Sequence, residues 1–110
     1  MNTENTTSYS EYLPKHERPI ITALLTAVLA RDKTITINDG EEDIITSNKL
    51  PNLRAALAGT GEDYLCFEGG YFHLVYDNGS RDNPMVVVSD YSDNPLCDDL
   101  YNDLTLKYGE

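Results

Sequence analysis

Two cysteines, two histidines and a surplus of carboxylates are the groups from which this 110-residue chain would have to build any chemistry. His16, Cys66, His73 and Cys97 are enough to bind a zinc ion. Their order lacks the paired, closely spaced ligands of structural zinc sites. His73 is the candidate general base, but it sits in Tyr71-Phe72-His73-Leu74-Val75-Tyr76, an alternating run where an imidazole is normally structural. Gly59-Thr60-Gly61 resembles part of a phosphate loop, yet Glu62 and Asp63 follow it and would repel a phosphate. Asp77-Asn78-Gly79-Ser80-Arg81-Asp82 carries oxygen ligands without the alternating acids and distal Glu of a calcium loop. Asp90 and Asp93 around Tyr91 are equally sparse, and turn chemistry accounts for both stretches. A glycosidase carboxylate pair needs a cleft deeper than a chain this short normally forms. No catalytic set, metal or cofactor is therefore expected, and the reading is of a non-enzymatic protein.

The net charge of −11 comes from nineteen acids against eight bases. Nucleic-acid-binding domains gain affinity by neutralising phosphates, and anionic membranes attract basic segments, so direct binding to either is not expected. The charge is lopsided. Residues 1–54 hold eight acids and six bases, a net of −2, whereas residues 55–110 hold eleven acids and two bases, a net of −9. The acidity thus belongs to segments that should fold, not to a tail.

Those segments follow from periodicity. Tyr64-Leu65-Cys66-Phe67, a Gly69-Gly70 break, Tyr71 to Tyr76, a turn at Asp77-Asn78-Gly79-Ser80 and Met85 to Val88 read as three consecutive antiparallel strands. Upstream, Ile21, Leu24, Leu25, Val28 and Leu29 form one face of a helix from about Glu17 to Arg31, with Pro19 in its first turn. Lys33 to Ile37 alternates as a strand, Asn38-Asp39-Gly40 turns it, and Glu41 to Thr46 returns. A short helix from Lys49 or Pro51 to Ala58 should end at Gly59. After a polar loop over Ser89 to Asn94, Asp93 or Asn94 caps a last helix with Pro95 in its first turn. Leu96, Cys97, Leu100, Tyr101 and Leu104 are its apolar stripe, and Asp98, Asp99, Asn102 and Asp103 face solvent.

The expected fold class is α+β: a mostly antiparallel sheet of about five strands in the order α-β-β-α-β-β-β-α, helices on one face. Residues 1–15 read as a flexible leader, with Tyr12 and Leu13 able to dock on the core, and 16–110 as one acidic domain. Cys66 and Cys97 are expected as buried free thiols. Met1-Asn2-Thr3-Glu4 has no signal-peptide character, and Ile20 to Ala30 is too short to span a bilayer, so a cytoplasmic location is expected.

With chemistry set aside, the acids become the functional lead. Carboxylates on a rigid frame can compete with nucleic acid for a basic channel, because the Lys and Arg of that channel see a similar field. Asp90, Asp93, Asp98, Asp99 and Asp103 form the first candidate partner-binding group, with Tyr91 as a neutral anchor. Glu62, Asp63, Asp77 and Asp82 form the second.

Ile20-Ile21-Thr22-Ala23-Leu24-Leu25, Asn38-Asp39-Gly40-Glu41-Glu42, Gly59-Thr60-Gly61-Glu62-Asp63 and Val88-Ser89-Asp90-Tyr91-Ser92-Asp93-Asn94 resemble segments of small acidic proteins encoded by phages and prophages. In length, acidity and lack of catalytic motifs the chain is similar to phage anti-defence inhibitors, including anti-CRISPR proteins. That resemblance implies a target in the host cell: the basic surface of a CRISPR effector, a nuclease or another nucleic-acid-handling complex. The alternatives are an immunity-type or accessory protein that binds a basic toxin or nuclease, and a small metal-dependent enzyme working around His73.

Overall fold

A computed structural model describes residues 13–31, 34–59, 61–78 and 82–108. Helix α1 (Arg18–Leu29) leads into the hairpin β1 (Ile35–Asn38) and β2 (Asp43–Ser47), then helix α2 (Leu50–Ala56). The chain continues through β3 (Glu62–Phe67), β4 (Gly70–Val75), a 3₁₀ turn at Pro84–Val87, β5 (Val88–Tyr91) and helix α3 (Pro95–Tyr108). The five strands form one antiparallel sheet in the order β2-β1-β3-β4-β5. The fold is α+β, with the element order that the periodicities predict.

The alternation of each strand separates two faces. Ile35, Ile37, Leu65, Phe72, Leu74 and Val88 point inward and are buried with Ile20, Ile21, Leu24, Leu25 and Val28 of α1, Leu53 of α2, and Cys97, Leu100 and Leu104 of α3. Helix α2 lies against β1 and β2, α3 against β4, and α1 against both other helices. The opposite face, with Thr36, Tyr64, Cys66, Tyr71 and His73, is only half-buried.

Two glycines bind the third helix to the sheet. A Cβ on Gly69 would collide with Leu96 Cδ2. Gly70 has φ +144°, and a Cβ there would lie 2.6 Å from Ser92 Oγ. Ser92 Oγ accepts the Tyr71 N–H at 2.9 Å, and the Ser92 N–H donates to the Tyr71 carbonyl at 3.1 Å. Asn94 caps α3 as expected: its Oδ1 accepts the Cys97 N–H at 2.8 Å. Its amide group also donates to the Gly69 carbonyl at 3.0 Å.

The structure revises three details. The third meander strand runs from Val88 to Tyr91, not Met85 to Val88; Pro84, with its fixed φ and missing N–H, starts a 3₁₀ turn that buries Met85 and Val87. Helix α2 stops at Ala56, and the left-handed residue after it is Ala58, φ +62°, in place of Gly59. Cys97 is buried but Cys66 is half-exposed on the open sheet face, and both thiols are free. Leu13 is fully buried in the core, in keeping with the docking expected of it. Residues 1–12 lie outside the described residues.

Candidate functional site

The open face of the sheet is a continuous layer of cross-strand pairs. Thr36 and Thr46 share a hydroxyl–hydroxyl bond of 2.7 Å, and the Asn38 amide donates to Asp43 Oδ1 at 2.9 Å. On β3 and β4, Tyr64 lies opposite His73 and Cys66 opposite Tyr71. The Tyr64 and His73 rings stack 4.2 Å apart at an interplanar angle of 8°. Tyr71 tilts against Tyr64 on the diagonal, with centroids 6.2 Å apart. His73 Nε2 donates to Glu62 Oε1 at 2.6 Å, and the Tyr71 hydroxyl donates to Asp90 Oδ2 at 3.3 Å. The Asp90 charge raises the Tyr71 pKa above its ordinary value.

Irregularities in the two edge strands frame this layer with acids. In the β4–β5 register Phe72 faces Tyr91 and His73 faces Asp90, but Leu74 faces Val88, so Ser89 is an extra residue. The bulge changes the alternation: Val88 and Tyr91 point inward and Asp90 is turned outward beside His73 and Tyr71. In β2 the same happens at Ile44, with Ile37 facing Ile45 but Asn38 facing Asp43. Ile44 is left exposed and Asp43 reaches Asn38 on the open face.

The other predicted site residues separate. Asp93 is exposed in the loop before α3, Asp98 is half-exposed in the first turn of α3, and Asp99 and Asp103 are exposed one turn apart. Tyr91, the expected anchor, is half-buried: its ring stacks on Phe72 at 5.4 Å and on Tyr101 at 4.9 Å. Burial, followed by the charge of Asp98, raises its pKa. Asp77 and Asp82 are exposed beyond the other end of β4, where Glu62 begins β3.

Asp63 does not belong to the surface. It points inward from β3, 1% exposed, and its Oδ2 accepts both the Tyr76 hydroxyl at 2.6 Å and the Ala58 N–H at 2.9 Å. It holds the turn after α2 onto the sheet, and burial raises its pKa while the two bonds oppose that rise.

A further carboxylate takes a structural role that the sequence does not mark. Glu17, fully buried before α1, accepts the N–H of Asp77 on its Oε1 at 2.9 Å, across sixty residues of chain. Asp77 has φ +60°, a conformation that Asp tolerates better than most residues. An acid just ahead of a helix reads as a favourable dipole partner, and nothing local marks it as a tertiary one.

Among the described residues, no group of three or more His, Cys, Asp or Glu side chains is placed to hold a metal ion. A groove of about 480 Å³ lies between α1 and α3, lined by Ala23, Ala27, Leu100, Leu104, Leu106 and the Asp103 and Lys107 side chains. Its lining is mainly apolar, and it is in the helical layer, away from the His73–Glu62 pair. No helix among the described residues is long and apolar enough to cross a membrane.

No protein-family model, curated protein or solved structure matches the chain. The functional reading therefore depends on the surface just described.

Proposed function

We propose that this protein is a non-enzymatic inhibitor that binds the basic nucleic-acid-binding surface of a host defence complex, such as a CRISPR effector or nuclease, and competes with the nucleic acid. One observation carries the reading. From Asp82 to Leu106 the chain has Asp82, Asp90, Asp93, Asp98, Asp99 and Asp103 and no Lys, Arg or His, and all six carboxylates are exposed or half-exposed. They sit on a strand, its loops and a helix capped by Asn94, so they present negative charge from a fixed frame. Asp99 and Asp103 are about 6 Å apart along the helix axis. Such a field accelerates encounter with a basic groove and is screened by salt.

The test compares wild type with an Asp90/Asp93/Asp99/Asp103→Asn variant for capture of nucleic-acid-binding complexes from host lysate at low and high salt. The expected result is a complex that wild type retains, that duplex DNA displaces, and that the variant binds at least about tenfold more weakly. Capture that survives both neutralisation and DNA competition would refute the proposal.

A further inference from the structure

The open sheet face brings together features that the α3 acids lack. Tyr64, Tyr71 and His73 form an aromatic centre, and carboxylates surround it: Glu62 bonded to His73 within the face, and Asp90 bonded to Tyr71 from the edge strand. Asp90 lies opposite His73 on this face, next to an unpaired Ser89 that lets both Val88 and Tyr91 point inward. Both edge strands have such an irregularity, and in both an acid reaches the open face. The helices occupy the other side of the sheet.

We propose that this face is an arginine-reading surface, on which guanidinium groups of a basic partner protein lie against Tyr64 and Tyr71 while the Asp90 and Glu62 carboxylates pair with them. The occupant follows from charge and shape. A carboxylate beside an aromatic ring attracts any cation, but a planar guanidinium can stack on the ring and present its N–H fork to the carboxylate together. An ammonium makes only the point-charge part of that interaction and holds its water more tightly. Anionic ligands are repelled by the same carboxylates. Asp43 extends the acidic frame to the far edge strand, so an extended segment lying across the strands would meet carboxylates on β2, β3 and β5. This inference rests on the basic partner proposed above, and assigns the selectivity to the sheet and the general attraction to α3.

Two labelled peptides of equal length and charge, one arginine-rich and one lysine-rich, test it by fluorescence anisotropy against three proteins. These are wild type, a Tyr64→Leu/Tyr71→Leu variant and an Asp93/Asp98/Asp99/Asp103→Asn variant. Wild type should bind the arginine peptide at least about threefold more tightly than the lysine peptide. The tyrosine variant should lose that preference and keep its lysine affinity, while the Asn variant should weaken both peptides and keep the preference. Amide chemical-shift mapping on wild type gives an answer that does not depend on how well a variant folds. The arginine peptide should shift Tyr64, Tyr71 and Asp90 more than the lysine peptide does.

Equal affinity for the two peptides, or a preference that survives in the tyrosine variant with no shifts on the open face, overturns the arginine assignment and leaves the acidic-surface reading standing. If the preference maps to the open face but the Asn variant binds both peptides as well as wild type, the α3 reading fails and the arginine site remains. If neither peptide binds at low salt, both fail.

Discussion

Tyr76 and Asp63 offer the sharpest test of the structure, because one oxygen carries two bonds. Asp63 Oδ2 accepts from the Tyr76 hydroxyl at 2.6 Å and from the Ala58 N–H at 2.9 Å, in a position 1% exposed. Asparagine can present its one carbonyl oxygen at the same point and keep both bonds, while removing a charge that burial disfavours. Asp63→Asn is therefore expected to fall within about 1 kcal/mol of wild type at pH 7, or to be more stable. Tyr76→Phe keeps the ring and deletes the shorter bond, which should cost about 1.5–3 kcal/mol while Asp63 is ionised. In the Asp63→Asn background the same change should cost only about 1 kcal/mol, the worth of a neutral bond. The pH dependence has a definite sign. Because the folded-state pKa of Asp63 is raised, its contribution is fully present below the unfolded carboxylate value and is lost as pH rises through the folded one. That loss should vanish in Asp63→Asn and grow in Tyr76→Phe, where an opposing bond is gone. Urea denaturation followed by circular dichroism from pH 3 to 8 measures all four proteins. A loss of 3 kcal/mol or more for Asp63→Asn at pH 7 would refute the reasoning, as would equal Tyr76→Phe costs in both backgrounds; limits of this size follow from the bond energies above.

Two more outcomes test how α3 is fastened. Gly70→Ala forces a Cβ to within 2.6 Å of Ser92 Oγ at φ +144°, and should cost at least about 2 kcal/mol with a matching fall in thermal midpoint. Asn94→Ala removes both the helix cap and the bond to Gly69, for an expected loss of about 1–2 kcal/mol by chemical denaturation, with Asn94→Asp recovering the cap alone.

Local periodicity carried most of the fold. Strand alternation in Tyr71 to Val75 and the helical spacing of Ile21 to Val28 both reflect burial on one face, and both appear where the pattern puts them. The Asn38-Asp39-Gly40 turn was legible because its geometry is short-range: Asn38 Oδ1 accepts the Gly40 N–H at 2.7 Å, and Asp39 Oδ1 accepts from Glu41 and Glu42. Those last two bonds also lower the Asp39 pKa. What escaped was long-range. Asp63 looks like any loop acid beside Glu62 until Tyr76 and Ala58 are seen to converge on it. Val88 and Tyr91 both point inward because β5 carries one unpaired residue, and a period-of-two reading cannot anticipate a bulge. Met85 to Val88 misled because an apolar run of four fits a strand and a buried 3₁₀ turn equally well.

The strand order β2-β1-β3-β4-β5 also sets an assembly sequence. Three of its four neighbour pairs join strands that follow one another in the chain; the exception is β1 with β3, which reaches past β2 and α2. The β1–β2 and β3–β4 hairpins close short loops and can form early, within microseconds. Joining them means closing the longer stretch from Asn38 to Tyr64, so this docking event should govern the refolding rate. Leu65 and Ile37 meet there, facing each other across the seam, and substitutions at that pair should slow folding more than they speed unfolding.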